Sequence, residues 1–130
     1  MEEETVEKVL CVDDDLILLH LYRDELSEEG YTVILAKDGQ EAIRKFGKES
    51  PDVVVMDVHM PMMDGIQRMT TAMRGKDREV PVILNTAYPQ YEDNFKAWGA
   101  EAYVTKSSDL AELKQKMREV LKERKKSKRT

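Results

Sequence analysis

The sequence contains a single cysteine, Cys11, among 130 residues. One thiol makes no intramolecular disulfide. This one lies inside the apolar run Val9-Leu10-Cys11-Val12, the setting of a buried thiol rather than of a nucleophile. Histidine is nearly as scarce: His20 and His59 stand alone, with no paired Cys and no zinc-ligand spacing, which argues against a zinc site. No apolar run approaches the length of a membrane span. The N-terminal Met-Glu-Glu-Glu lacks the apolar core of a signal peptide, so a cytoplasmic protein is expected, with no membrane partner. Excess positive charge is also missing. The net charge of -5 excludes nucleic-acid binding by bulk electrostatics. There is no internal repeat and no linker rich in Pro, Gly or Ser, which leaves one domain of ordinary size.

What is present is a strong alternation. The stretch Val53-Val54-Val55-Met56 is apolar throughout and stops at Asp57, with Pro61, Asp64 and Gly65 soon after. It reads as a strand of a parallel sheet buried on both faces. Val9 to Val12 is a second such run, ending in Asp13-Asp14-Asp15. Residues from about Leu16 to Glu29 follow helical spacing through Leu18, Leu21, Tyr22 and Leu26, with Gly30 at the stop. Tyr31 to Ala36 is a strand. Asp38 caps a helix from about Gln40 to Lys48, and Ser50-Pro51-Asp52 breaks it. A helix from Gly65 to about Met73 and a strand over Val80 to Leu84, with Pro81 near its start, come next. The spacing of Tyr91, Phe95 and Trp98 predicts a short helix closed by Gly99. Ala102 to Thr105 is a fifth strand, ending at Lys106. Ser107-Ser108-Asp109 supplies a cap for a last helix with the seam Leu110, Leu113, Met117, Val120 and Leu121. Strand and helix thus alternate five times, which calls for an α/β fold with a doubly wound, five-stranded parallel sheet, helices on both faces and right-handed crossovers. Residues 1–121 form this domain, and 122–130 form a basic C-terminal tail with six Lys or Arg and one Glu.

Ligands of open α/β sheets gather at the carboxyl ends of the strands. Those ends here carry Asp13 and Asp14, Asp57, Thr86 and Lys106. Taken singly, each has an ordinary explanation as a cap, a turn or a surface residue. Jointly they fall on one sheet edge. Close carboxylates do not all ionise without compensation, and either a divalent cation or Lys106 supplies it. Few, hard oxygen ligands suit Mg²⁺, which keeps several waters and bridges to phosphate. Metal, ammonium and hydroxyl around one carboxylate make a place for a phosphoryl group, with Asp57 as the nucleophile, Lys106 neutralising charge and Thr86 donating a hydrogen bond.

Val12-Asp13-Asp14, Met56-Asp57 with Met60-Pro61 and Asp64-Gly65, Thr86-Ala87, and Tyr103-Val104-Thr105-Lys106 together resemble the receiver domains of two-component response regulators, of the chemotaxis-regulator-like kind. The likeness runs from about Val9 to Leu121. It implies the flavodoxin-like strand order 2-1-3-4-5. It also implies that Asp57 accepts phosphate from a phosphohistidine of a sensor histidine kinase or histidine phosphotransfer protein. Asp14, Asp57 and the backbone carbonyl of His59 would hold Mg²⁺, with Asp13 contributing through water, and Lys106 would pair with the phosphoryl group. Thr86 and Tyr103 would form the switch, whose output is a downstream protein target or a covalently linked output domain. The chain is then a signalling protein rather than an enzyme, catalysing only its own phosphotransfer and slow autodephosphorylation. Ser107 departs from the pattern, which has Pro after the lysine. His59 and Tyr88, two residues past Asp57 and Thr86, flank the site, and their bulk predicts a slow decay.

Leu16, Ile17 and Leu19 lie beyond the expected stripe of the first helix, either widening its buried face or forming a docking patch for the kinase. The basic tail reads as a solvated helix end, its cations matched to the helix dipole. No helix-turn-helix follows it, so no direct nucleic-acid contact is expected. Two rivals stand further off. A Mg²⁺-dependent phosphatase of the haloacid dehalogenase kind wants a carboxylate where His59 stands, and a flavodoxin-like cofactor binder wants a phosphate loop where Asp13-Asp14-Asp15 stands.

Overall fold

In a computed structural model, the structure describes residues 6–56, 63–86, 100–105 and 110–129. The elements are β1 (Lys8–Val12), α1 (Leu16–Glu28), β2 (Thr32–Ala36), α2 (Gly39–Glu49), β3 (Val53–Met56), α3 (Met63–Arg74), β4 (Val82–Thr86), β5 (Ala102–Thr105) and α4 (Ala111–Arg129). The five strands form one parallel sheet in the order β2-β1-β3-β4-β5. The helix expected over Tyr91 to Trp98 lies outside the described residues, as does the Lys106-Ser107 turn.

Period-two alternation divides the strand side chains between two layers. Leu10, Val12, Val54, Met56, Val82, Leu84 and Tyr103 pack with Ala42 and Phe46 of α2 and Met73 of α3. Val9, Cys11, Val53, Val55, Ile83 and Val104 pack with Leu19, Tyr22 and Leu26 of α1 and Leu113, Met117 and Leu121 of α4. Each strand is covered on both sides, which is why β3 reads as an unbroken apolar run. Its four residues are all buried. A side chain such as Leu84, removed entirely from water, contributes roughly 1.5–3 kcal/mol of transfer free energy.

Local signals set the ends. Asp15 caps α1, its carboxylate accepting from the N–H groups of Ile17 and Leu18. At the other end Gly30 adopts φ 99°, Tyr31 donates to the Leu26 carbonyl and Gly30 to that of Ser27. This is the Schellman arrangement, in which the left-handed residue costs a glycine least. Tyr31 is consumed by this cap, so β2 starts at Thr32 rather than at Tyr31. Asp38 caps α2 by accepting from the Glu41 N–H at 2.8 Å, and the Glu41 carboxylate reaches back to the Lys37 N–H at 3.1 Å. That reciprocal pair is a capping box displaced by one residue.

Three further expectations shift. The strand placed over Val80 to Leu84 runs instead from Val82 to Thr86; the ring of Pro81 removes a donor, and Pro81 contributes only its carbonyl, accepting from Val54. On α1 the buried stripe is Leu19, Tyr22 and Leu26, while Leu21 is exposed. The choice between two overlapping leucine stripes is made by which one faces the sheet. Finally, the tail read as a solvated helix end does prolong α4, to Arg129, but it is not solvated throughout: Arg124 is buried against Asp77 in the segment after α3.

Candidate phosphoryl site

The strand register builds one edge of the sheet. Val12 at the end of β1 is paired with Met56 at the end of β3, Met56 with Leu84, and Thr86 at the end of β4 with Thr105 at the end of β5. Asp13 follows Val12 in the chain, Asp57 follows Met56 and Lys106 follows Thr105. Asp57, His59, Tyr88 and Lys106 themselves lie outside the described residues; Asp13, Asp14, Thr86 and Tyr103 lie within them.

The acidic run after β1 divides its labour. Asp13 is 1% exposed. Its N–H donates to the Ala36 carbonyl, carrying the β1–β2 ladder one step further, and its carboxylate accepts from the Asp15 N–H at 2.8 Å. Asp14 is exposed, and Asp15 is occupied as the helix cap. A buried carboxylate is costly without compensation, so Asp13 gains most from a nearby cation, and exposed Asp14 offers that cation an approach from solvent. This donor set of hard oxygens fits Mg²⁺. Among the described residues no three Cys, His, Asp or Glu side chains cluster closely enough to hold a metal; the third carboxylate of the expected set is Asp57.

On the far side of the edge, Thr86 is buried at the end of β4. Alternation puts it on the same face as Val82 and Leu84, and Tyr103 of β5 belongs to that layer too, with its ring almost wholly buried. The two residues expected to act as a switch thus share a face on neighbouring strands. Just beside the edge, burial pushes the Cys11 thiol up, with the Asp13 charge adding to the effect, so it stays a protonated core side chain. Asn85 precedes Thr86 on β4. It is 2% exposed, and its side-chain amide donates to the Tyr22 hydroxyl of α1 at 2.9 Å. A polar residue inside an otherwise apolar strand was the available sign of it.

Against known proteins, the model of the response regulator receiver domain matches residues 9–118. The chain belongs to the response regulator receiver family. A probable transcriptional regulator ycf27 of Guillardia theta is 41% identical over 120 residues, covering 91% of this chain and 46% of that protein. The receiver spans about half the length of the curated relatives it matches. The crystal structure of the response regulator TrrA of Thermotoga maritima in complex with Mg²⁺-BeF superposes with a TM-score of 0.77 at 36% identity, over 88% of this chain and 99% of that one. A crystal structure of histidine kinase ThkA in complex with TrrA matches with a TM-score of 0.76 at 36% identity, over 89% and 99%. The flavodoxin-like sheet order and the receiver character expected from the sequence are both met. No described helix is long and apolar enough to cross a membrane.

Proposed function

We propose that this receiver accepts a phosphoryl group on Asp57 from a phosphohistidine of a sensor histidine kinase or histidine phosphotransfer protein, in a Mg²⁺-dependent reaction, and thereby changes its output face. The observation that carries the reading is the register at the sheet edge, which brings the end of β1, with its buried Asp13, beside the end of the strand that Asp57 follows. A carboxylate oxygen of Asp57 attacks phosphorus as the P–N bond to the imidazole breaks, and the imidazole leaves with that electron pair. With Asp13 contributing through water, Asp14, Asp57 and the His59 carbonyl would hold Mg²⁺, which when bound neutralises charge on the phosphoryl oxygens. Lys106 pairs with the phosphoryl group, and the Thr86 hydroxyl donates to it. Moving that hydroxyl toward the new dianion frees space on the face it shares with Tyr103, so one local charge biases a packed element between two arrangements.

Docking of the phosphodonor is best supported at the start of α1. Leu16 and Ile17 are 58% and 81% exposed, beside the acidic run; Leu19 is buried and takes no part. The TrrA–ThkA complex supports a kinase partner of this kind. The curated relatives are about twice the length of this chain, which supports output through a covalently linked domain beside the alternative of a downstream protein target. The test is incubation with Mg²⁺ and a small acyl phosphate, followed by intact mass. One base-labile phosphate on the wild type, abolished by Asp57→Asn and by chelation, is expected. Continuous turnover of phosphate esters would instead place the chain among phosphatases.

A further inference from the structure

We propose that Tyr22 and Asn85 are a positioning pair that couples α1 to the Thr86 end of β4, so that their hydrogen bond sets how tightly the site takes a phosphoryl group. The inference rests on the phospho-receiver reading above. Asn85 and Tyr22 are each 2% exposed and 63 residues apart in sequence. Their layer is otherwise built of Val9, Cys11, Val55, Ile83 and Val104. An apolar residue at position 85 would fill that layer with no demand on direction. The amide instead fixes one orientation of α1 against β4, because a buried hydrogen bond in a poorly screening interior is strong when made and costly when lost.

The placement of the two ends gives the bond its consequence. Asn85 is paired with Val104, and Thr86, next in the chain, with Thr105, the final step of the β4–β5 ladder. Two helical turns before Tyr22, α1 is tied to the acidic end of β1, since the Asp15 N–H donates to Asp13. One rigid helix therefore holds both the buried carboxylate and the strand end that carries the switch hydroxyl. Its outer face exposes Leu16, Ile17 and Leu21. Pressure from a partner on that face reaches Thr86 through the Tyr22 hydroxyl.

The test compares the wild type with Tyr22→Phe, Asn85→Leu and the double variant. Mg²⁺-beryllofluoride affinity is measured by calorimetry, and stability by urea denaturation. Each single variant should bind beryllofluoride about fivefold more weakly, in the range of ordinary site-to-site coupling, and should also lose stability. The double variant should recover part of that stability, since neither member of the pair is left without the other, yet remain about fivefold weaker, since an apolar pair has no direction. If Asn85→Leu does not fold, Tyr22→Phe, which removes one oxygen, carries the comparison. Affinities within about twofold of wild type in every folded variant would make the pair merely structural and overturn the proposal. If the wild type binds no beryllofluoride, the phospho-receiver reading fails first and this inference with it.

Discussion

Removing the guanidinium of Arg124 should destabilise the domain by about 2 kcal/mol, although the residue lies beyond the last apolar seam position of its helix. The Arg124 side chain is 7% exposed and that of its partner Asp77 30%. Breaking a fully buried pair costs roughly 3–5 kcal/mol and an exposed one about 0–1. Water can take over part of the half-exposed carboxylate, and Asp77 also accepts from the Glu79 N–H at 3.2 Å. The expected cost therefore falls between these limits. For a domain of this size it lowers the melting temperature by about 6–10 °C. Equilibrium urea denaturation followed by circular dichroism reads the difference directly. Arg124→Met, which keeps the buried stem, should cost less than Arg124→Ala. Lys125→Ala is the control. Its contact with Glu7 is 3.7 Å long and the lysine side chain is 65% exposed, so a change within about 0.5 kcal/mol is expected. A chain ended after Leu121 should lose as much stability as Arg124→Ala or more. If Arg124→Ala stays within about 0.5 kcal/mol of wild type at an unchanged denaturant slope, the reasoning from burial is refuted.

Further outcomes follow from the same geometry. Asp38→Ala should cost about 1 kcal/mol by removing the α2 cap. The backbone N–H of Lys37, with Lys45 assisting, holds the Glu41 carboxyl below its ordinary value. The stability it adds is therefore present above the unfolded-state value and is lost as pH falls through the lower folded one, and acid titration of wild type against Glu41→Gln should show that loss in the wild type alone. Cys11 should resist alkylation at mildly alkaline pH until denaturant is added; rapid labelling of the native protein would contradict its burial. Replacing His59 and Tyr88 together by small residues should shorten the phosphoryl lifetime, measured as loss of the intact-mass adduct, and an unchanged lifetime would reject shielding of the acyl phosphate by their bulk.

The fold was legible where one local cause dominated. Four consecutive apolar residues in β3 need cover on both faces, which only a parallel sheet between helix layers supplies. Asp15, Asp38 and Gly30 mark helix ends because backbone groups there need partners close in sequence. The described part of the candidate site, Asp13 and Thr86, was legible for the same reason, since a carboxylate or hydroxyl that stops an apolar run marks a strand end. Legibility failed where the partner is distant in sequence. Leu19 and Leu21 are equally apolar, and only contact with the sheet buries one and exposes the other. Arg124 resembles the lysines around it until Asp77, 47 residues earlier, is brought against it. Asn85 shows its role only once its hydrogen-bond partner Tyr22, 63 residues earlier, is brought against it.

The central claim is that Asp57 is the phosphoryl acceptor. The protein, charged by a small acyl phosphate with Mg²⁺, is reduced with borohydride, which converts an aspartyl phosphate to homoserine, and then digested and sequenced by tandem mass spectrometry. Homoserine at position 57 and at no other aspartate is the predicted result. Homoserine at Asp13 or Asp14, or none at all in protein shown to carry phosphate, would contradict it.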